Sequence, residues 1–88
     1  MATEKQNAER MWVRVGPNVW AQLSQVPAEV VEQMMAELET LADLLPLTPP
    51  ADPSKAPPTR RGLLVQGFRA NYEVDYRRQV LTLLSVGR

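Results

Sequence analysis

The chain has 88 residues, no cysteine and no histidine, and its ten acidic side chains balance ten basic ones. This length fits one domain, and the missing residue types exclude disulfides, thiolate zinc sites and the commonest general base. We therefore expect no metal and no other cofactor, and any chemistry would depend on Arg, Lys, Tyr, Asp or Glu.

No apolar run approaches the roughly 18 to 20 residues of a membrane span, and the polar start lacks a secretion signal. A cytoplasmic protein with no membrane partner is expected.

Charge is unevenly distributed along the chain. Residues 27–58 carry six carboxylates and one lysine, a net charge of −5, whereas residues 59–88 carry six arginines and two carboxylates, a net charge of +4. A basic C-terminal third is suited to phosphate or to an acidic partner. A solvated sheet face that balances an acidic helix explains the same pattern, so both interpretations stay open at this point.

The N-terminal part predicts a strand and a short helix. Residues 1–10 show no periodicity and predict a flexible extension, so the folded domain is expected at residues 11–88. Residues 11–15 alternate between apolar and polar and favour a strand, which the following Gly-Pro pair ends. Apolar residues at helical spacing then predict a short helix over residues 18–25.

A longer helix is predicted over residues 27–45. Pro27 suits its first turn, and apolar residues recur at three- and four-residue steps. Residues 46–59 contain six of the eight prolines, which excludes a helix or a central strand and predicts a semi-rigid extended loop. Such a stretch also suits an SH3-type ligand, but its position between two core elements favours a connecting loop. The apolar positions of the helix are Val30, Val31, Met34, Leu38, Leu41 and Leu45.

Beyond the loop the apolar period changes to two. Residues 63–66 predict a strand, Gly67 a turn, and residues 68–76 a half-buried strand with one apolar and one polar face. Residues 77–79 predict a second turn. The final strand, residues 80–86, is apolar on both faces and is expected in the centre of the sheet. The order β-α-α-β-β-β predicts an α+β domain in which an antiparallel C-terminal sheet packs against a helical hairpin.

Two segments of the C-terminal half resemble a known signature. The sequences GFRANYEVD, from Gly67 to Asp75, and VLTLLSVGR, from Val80 to Arg88, are similar to the RelE/ParE toxin superfamily. In that superfamily a G-Y/F-R-x-x-Y-x-V strand turns into a strand that ends in V-G-x-R. The N-terminal half agrees in its order of strand, proline-marked helix start and helical hairpin. The resemblance covers about residues 11–88 and implies the RelE/ParE fold.

The resemblance also implies a toxin of a toxin–antitoxin pair, with a cognate antitoxin as partner. RelE-like members cut messenger RNA on the ribosome without a metal, and this attack of a 2′-OH on phosphate requires a base, cations and a proton donor. Arg69 matches the signature arginine, Arg60 lies near a basic position of the preceding strand, and Arg88 ends the last strand. These three are the candidate catalytic residues. The candidate RNA- or phosphate-binding residues are Arg61, Arg77 and Arg78.

The chain departs from the ribonucleolytic relatives at two points. Gly62 stands where they carry a second basic residue, and their C-terminal helix with its catalytic Tyr or His-Tyr has no counterpart after Arg88. Tyr72 and Tyr76 fall on the apolar face by alternation and are expected in the core. Three functions therefore stay open, and messenger RNA cleavage is ranked first. The other two are a ParE-like inhibitor of a protein target such as gyrase and a non-toxic binding module on the same scaffold.

Overall fold

The structure, a computed structural model, describes residues 10–88, which form a four-stranded sheet with helices on one face. The order of elements is β-α-α-β-β-β in an α+β domain, which confirms the predicted fold class. The elements are β1 Trp12–Val15, α1 Val19–Leu23, α2 Ala28–Leu44, β2 Thr59–Val65, β3 Phe68–Asp75 and β4 Val80–Gly87.

Arg10, the first described residue, is bound to the second helix. Its guanidinium donates hydrogen bonds to the Glu39 carboxylate and, from Nε at 2.8 Å, to Asp43 Oδ1. The bonds to Glu39 and then Asp43 raise the pKa of the Arg10 guanidinium above its ordinary value. The rest of the predicted flexible extension, residues 1–9, lies outside the described residues.

The last strand lies inside the sheet. The strand order is β1-β4-β3-β2, with β4 antiparallel to β3 and parallel to β1, and with β2 antiparallel to β3. The apolar character of both faces of residues 80–86 predicted this central position, and the structure confirms it. The two edges of the sheet are therefore formed by β1 and β2, the first two strands in sequence, and the last two strands lie between them.

The core lies between α2 and one face of the sheet. In α2 the fully buried side chains are Val30, Met34, Leu38 and Ala42. The other predicted stripe residues pack beside them as half-buried side chains. No polar or charged residue is buried within residues 10–88, so polar chemistry in this part of the chain belongs to the surface. The sheet contributes Val65, Phe68, Ala70, Tyr72, Val74, Leu81, Leu83 and Val86 to the buried core.

β2 is longer than predicted, because it begins at Thr59 and not at residue 63. It is an edge strand whose first half is exposed, so its sequence shows no apolar alternation there. The ladder with β3 nevertheless extends to Thr59, which lies opposite Val74. The irregular part of the proline-rich loop is therefore residues 48–58. At its other end Leu45–Leu47 form one 3-10 turn, which tolerates a proline at its start.

Short turns connect the remaining elements. The β2–β3 hairpin closes through Gln66, with φ of 49°, and Gly67, with φ of 85°. Two successive left-handed residues match the twist of the flanking strands, as in a type I′ turn. α1 ends at Leu23, slightly before its predicted end, because the approach to Pro27 disfavours helical backbone. Among residues 10–88, none of the helices has both the length and the apolar character that a membrane crossing requires.

Candidate functional site

The helices leave one side of the sheet uncovered, and β3 supplies its centre. The even-numbered residues of β3, from Phe68 to Val74, are buried toward the helices. Because side chains alternate along a strand, the intervening residues project to the other side. We call this surface the open face. Its polar residues on β3 are Arg69, Asn71, Glu73 and Asp75.

Arg60 joins this surface from β2. In the ladder Arg60 lies opposite Glu73, and Gly62 lies opposite Asn71. The Arg60 Nε is 3.8 Å from Glu73 Oε2, and the arginine side chain is 78% exposed. An ion pair this exposed contributes about 1 kcal/mol or less. Arg60 is therefore accessible to a ligand that offers a better anion.

A β-bulge in β4 brings Ser85 onto the open face. The ladder pairs Asn71 with Ser85 but Tyr72 with Leu83, which leaves Leu84 as the extra residue. The bulge shifts the alternation by one position, so Leu84 and Ser85 both lie on the side away from the helices. Asn71 Nδ2 donates a 2.9 Å hydrogen bond to Ser85 Oγ. This bond fixes the orientation of the amide at the centre of the open face.

These residues enclose a cleft of about 500 Å³, which we call the Arg60–Arg69 cleft. The cleft is open because Gly62 has no side chain. A Cβ added at Gly62 would not clash, since its nearest atom, Asn71 Oδ1, would lie at the ordinary contact distance of 3.7 Å. Two guanidinium groups, an amide and a hydroxyl around one hollow are suited to an anion with several oxygens, such as a phosphate. The lining residues are Arg60, Arg61, Gly62, Arg69, Asn71, Leu84 and Ser85.

The three candidate phosphate-binding arginines lie at the edge of the cleft or outside it. Arg61 is opposite a buried tyrosine, so its side chain leaves β2 on the other face, and it borders both this cleft and a hollow beside the proline-rich loop. Arg77 and Arg78 follow the far end of β3, and Arg77 is about 20 Å along the strand from Asn71 at 3.3 Å per residue. The Arg78 Nε lies 4.0 Å from Asp75 Oδ2, and its backbone N–H donates to Asp75 Oδ1 at 3.1 Å.

Arg88 belongs to a second concavity, on the helix side of the sheet. Its guanidinium carbon lies 4.9 Å from the centroid of the Phe68 ring, a cation–π distance. The groove there is about 700 Å³. Beside it, Gln22 Oε1 accepts a 2.7 Å hydrogen bond from the Val86 N–H, beyond the point where β1 ends. The groove is lined by Ala21, Gln22, Gln25, Val26, Pro27, Phe68, Val86, Gly87 and Arg88.

The structure thus brings together two of the three candidate catalytic residues, Arg60 and Arg69. Sequence reasoning missed Asn71 and Ser85 as parts of the site. The alternation of β3 had already put Asn71 on the polar face beside Arg69, so that signal was present. Ser85 had no such signal, because its orientation depends on the bulge.

Within residues 10–88, no three acidic side chains cluster closely enough to hold a metal ion.

Comparison with known proteins supports the fold. The sequence matches no profile of a known protein family and no curated protein. The structure is similar to that of the E. coli toxin RelE, solved in the free state as a mutant with two arginine-to-alanine substitutions. The TM-score is 0.65 at 16% sequence identity, and the match covers 90% of this chain and 83% of that chain. At this identity the likeness concerns the fold and not the activity. The chain has a RelE-like fold, as the resemblance of its two C-terminal strands implied.

Proposed function

We propose that this chain is a RelE-type toxin of a toxin–antitoxin pair and that it cleaves messenger RNA on the ribosome without a metal. The observation that best supports the proposal is the meeting of Arg60 and Arg69 at one cleft on the open face of a RelE-like fold. The solved structure with a similar fold is that of a toxin. A cognate antitoxin is the partner that this function requires, and the basic residues 59–88 suit an acidic antitoxin segment.

In the proposed reaction the 2′ oxygen of one nucleotide bonds to the adjacent phosphorus. The bond from phosphorus to the next 5′ oxygen breaks, and a 2′,3′-cyclic phosphate and a free 5′-OH result. Negative charge builds up on the non-bridging oxygens, where Arg60 and Arg69 donate hydrogen bonds. Asn71 and Ser85 orient the phosphate between them.

The 2′-OH proton requires an acceptor, and the chain contains no histidine. We assign this role to Glu73, which lies on the same face, two residues along β3 from Asn71 and 3.8 Å from Arg60. A carboxylate at this position can accept the proton as a general base. The leaving 5′ oxygen takes a proton from solvent, because a guanidinium keeps its protons.

The test is cleavage of ribosome-bound message by the purified protein, mapped at the 5′ ends of the fragments. Arg69→Ala is expected to lower the cleavage rate by about 10² to 10³, the effect of removing one transition-state donor. Lys55→Ala is the control, since Lys55 is an exposed cation of the proline-rich loop outside the cleft lining, and its rate should stay unchanged. An intact message after incubation with the wild-type protein would refute the nuclease function.

A second function, inhibition of a protein target in the manner of ParE, is favoured by the groove of about 700 Å³ beside Phe68. A groove of this kind accepts a segment of another protein. Growth arrest in cells whose messages stay intact would support this second function. The absence of both arrest and cleavage would leave a binding module on the same scaffold.

A further inference from the structure

The first strand places an aromatic and a basic side chain on the open face. In the parallel ladder Trp12 lies opposite Val80, and Arg14 lies opposite Thr82. Val13, between them, packs against the core, so Trp12 and Arg14 both project away from the helices. Trp12 is 74% exposed. A large indole exposed to this degree contributes little to the core of the described chain, and its position calls for a contact outside it.

These two side chains lie on the same surface as the Arg60–Arg69 cleft. One row of cross-strand neighbours runs from Arg14 through Thr82 and Glu73 to Arg60, over all four strands. At about 4.8 Å between strands, Arg14 and Arg60 are about 14 Å apart. Trp12 lies two residues from Arg14 on β1, about 7 Å away and level with Val80, toward the end of the sheet opposite Arg69. A ligand of a few nucleotides is long enough to touch both ends of this row.

The charges of the open face favour a polyanion. The face carries Arg14, Arg60 and Arg69 against Glu73 and Asp75. Both carboxylates have an arginine partner, Arg60 for Glu73 and Arg78 for Asp75. Within the part of the chain that the structure describes, no ion pair engages Arg14 or Arg69. Arg14 on β1 and Arg69 on β3 are therefore both accessible to the phosphates of a ligand on the open face.

We infer that β1 forms a second contact for single-stranded RNA, in which Trp12 stacks on a base and Arg14 binds the adjoining phosphate. The inference rests on the proposed function, because it extends the RNA path from the Arg60–Arg69 cleft across β3 and β4. An exposed aromatic ring beside an unpaired guanidinium is how proteins hold single strands without reading their sequence. An acidic protein segment satisfies the arginines but gives the exposed indole no stacking partner.

The two tryptophans provide a direct test. Trp20 is also exposed, at 63%, but it belongs to α1 and not to the sheet. The variant Trp20→Phe leaves Trp12 as the single fluorophore, and Trp12→Phe leaves Trp20. A uridine oligonucleotide of about eight residues is titrated into each, and binding is followed independently by the anisotropy of a dye on the oligonucleotide. The oligonucleotide is expected to quench the fluorescence of the Trp20→Phe variant, which retains Trp12. It should not quench the fluorescence of the Trp12→Phe variant, which retains Trp20.

Affinity gives a second readout. Trp12→Ala is expected to weaken oligonucleotide binding about ten-fold, the usual loss for one stacked base, and Trp20→Ala should leave it unchanged. Arg14→Ala should reduce the salt dependence of binding by about one phosphate contact. All three substituted side chains are exposed, so the circular dichroism spectrum and the melting temperature of each variant should match those of the wild type.

Several outcomes would overturn the inference. If the oligonucleotide binds in an Arg69-dependent way but neither quenches Trp12 nor depends on it, the β1 contact is wrong and the cleft function stands. If the wild type binds no oligonucleotide and no ribosome-bound message, the proposed nuclease fails and the β1 contact fails with it. If polyglutamate quenches Trp12 as strongly as the oligonucleotide does at the same ionic strength, the surface serves an acidic protein partner and the RNA contact is refuted.

Discussion

Asn71 and Ser85 are joined by a 2.9 Å hydrogen bond across a β-bulge, and this pair lies at the base of the cleft between Arg60 and Arg69. We expect Asn71→Ala to slow message cleavage about two- to ten-fold, the kinetic equivalent of one neutral hydrogen bond. Ser85→Ala should have an effect of similar size. Because each substitution removes the same bond, the double variant should be little worse than either single variant.

A matched control exists on the helix side of the sheet. Gln66 donates a 2.6 Å hydrogen bond to Gln33, and both side chains are exposed. Gln66→Ala removes an exposed amide hydrogen bond on the helix side of the sheet, outside the cleft lining, and the cleavage rate should not change. Strictly additive effects of Asn71→Ala and Ser85→Ala would contradict the coupling that we assign to the pair.

Glu73 is expected to have opposite effects on binding and on catalysis. Glu73→Gln removes the partner of Arg60 and one negative charge from the open face, so RNA affinity should rise by up to about five-fold and depend more steeply on salt. The same substitution removes the proposed base, and the rate of cleavage at saturating RNA should fall by about 10² to 10⁴.

Asp75→Asn is the control for this prediction, since Asp75 is a carboxylate of the same strand whose partner is Arg78 at the far end. It should raise affinity no more than Glu73→Gln does and leave the cleavage rate unchanged. Single-turnover kinetics with oligonucleotide and with ribosome-bound message would separate the two effects. A Glu73→Gln variant that cleaves at the wild-type rate would remove Glu73 from the reaction.

Gly62 is the position at which a new cation is most easily added to the cleft. Its φ lies outside the left-handed region, and a Cβ there would meet its nearest atom at 3.7 Å, so Gly62→Lys should fold normally. The added ammonium is expected to tighten RNA binding and to raise the cleavage rate about ten-fold, the effect of one charged hydrogen bond.

Gly62→Ala separates charge from backbone effects. It should stabilise the protein by about 0.4 to 1 kcal/mol, because it restricts the unfolded chain without straining the strand, and it should leave cleavage unchanged. Chemical denaturation measures the stability of both variants, and the cleavage assay measures the rates. Equal rates for the lysine and alanine variants would show that this position does not face the reacting phosphate.

Gly16 is required for the close approach of β1 to β4. Its N–H donates a 2.9 Å hydrogen bond to the Leu83 carbonyl, and an added Cβ would lie only 2.9 Å from that oxygen. Gly16→Ala is therefore expected to destabilise the protein by about 1 to 3 kcal/mol. Gly87→Ala is the control, since a Cβ there has nothing within 4 Å, and thermal unfolding should show little change. Equal melting temperatures for the two variants would contradict the steric argument.

The elements that bury apolar side chains could be predicted from the sequence. The elements that are held only by backbone hydrogen bonds to a neighbouring strand could not. The stripe of α2 and the alternation of β3 each follow from a period that burial imposes. The first half of β2, including Arg60, is held by its ladder with β3 while its side chains stay in solvent, so its composition carries no strand signal. Arg60 was found only through the family resemblance.

The same distinction applies to the site. Arg69 was predicted because alternation and the signature agree on its face. Ser85 was not, because one extra residue in β4 reverses the side to which the end of that strand points, and nothing in the sequence VLTLLSVG marks the bulge. The parallel pairing of Trp12 with Val80 could not be predicted from the sequence either. It joins two segments that are far apart in sequence and share no local pattern.

The pairing of β1 with β4 has a consequence for the order in which the chain folds during synthesis. Residues 12–15 find their strand partner only in residues 80–83, and the base of the cleft needs Ser85. During synthesis from the N-terminus, a chain that has not yet emerged through β4 has an unpaired first strand and an incomplete Arg60–Arg69 cleft. Translation therefore delays completion of the sheet and of the Arg60–Arg69 cleft until the final strand is free to insert between β1 and β3.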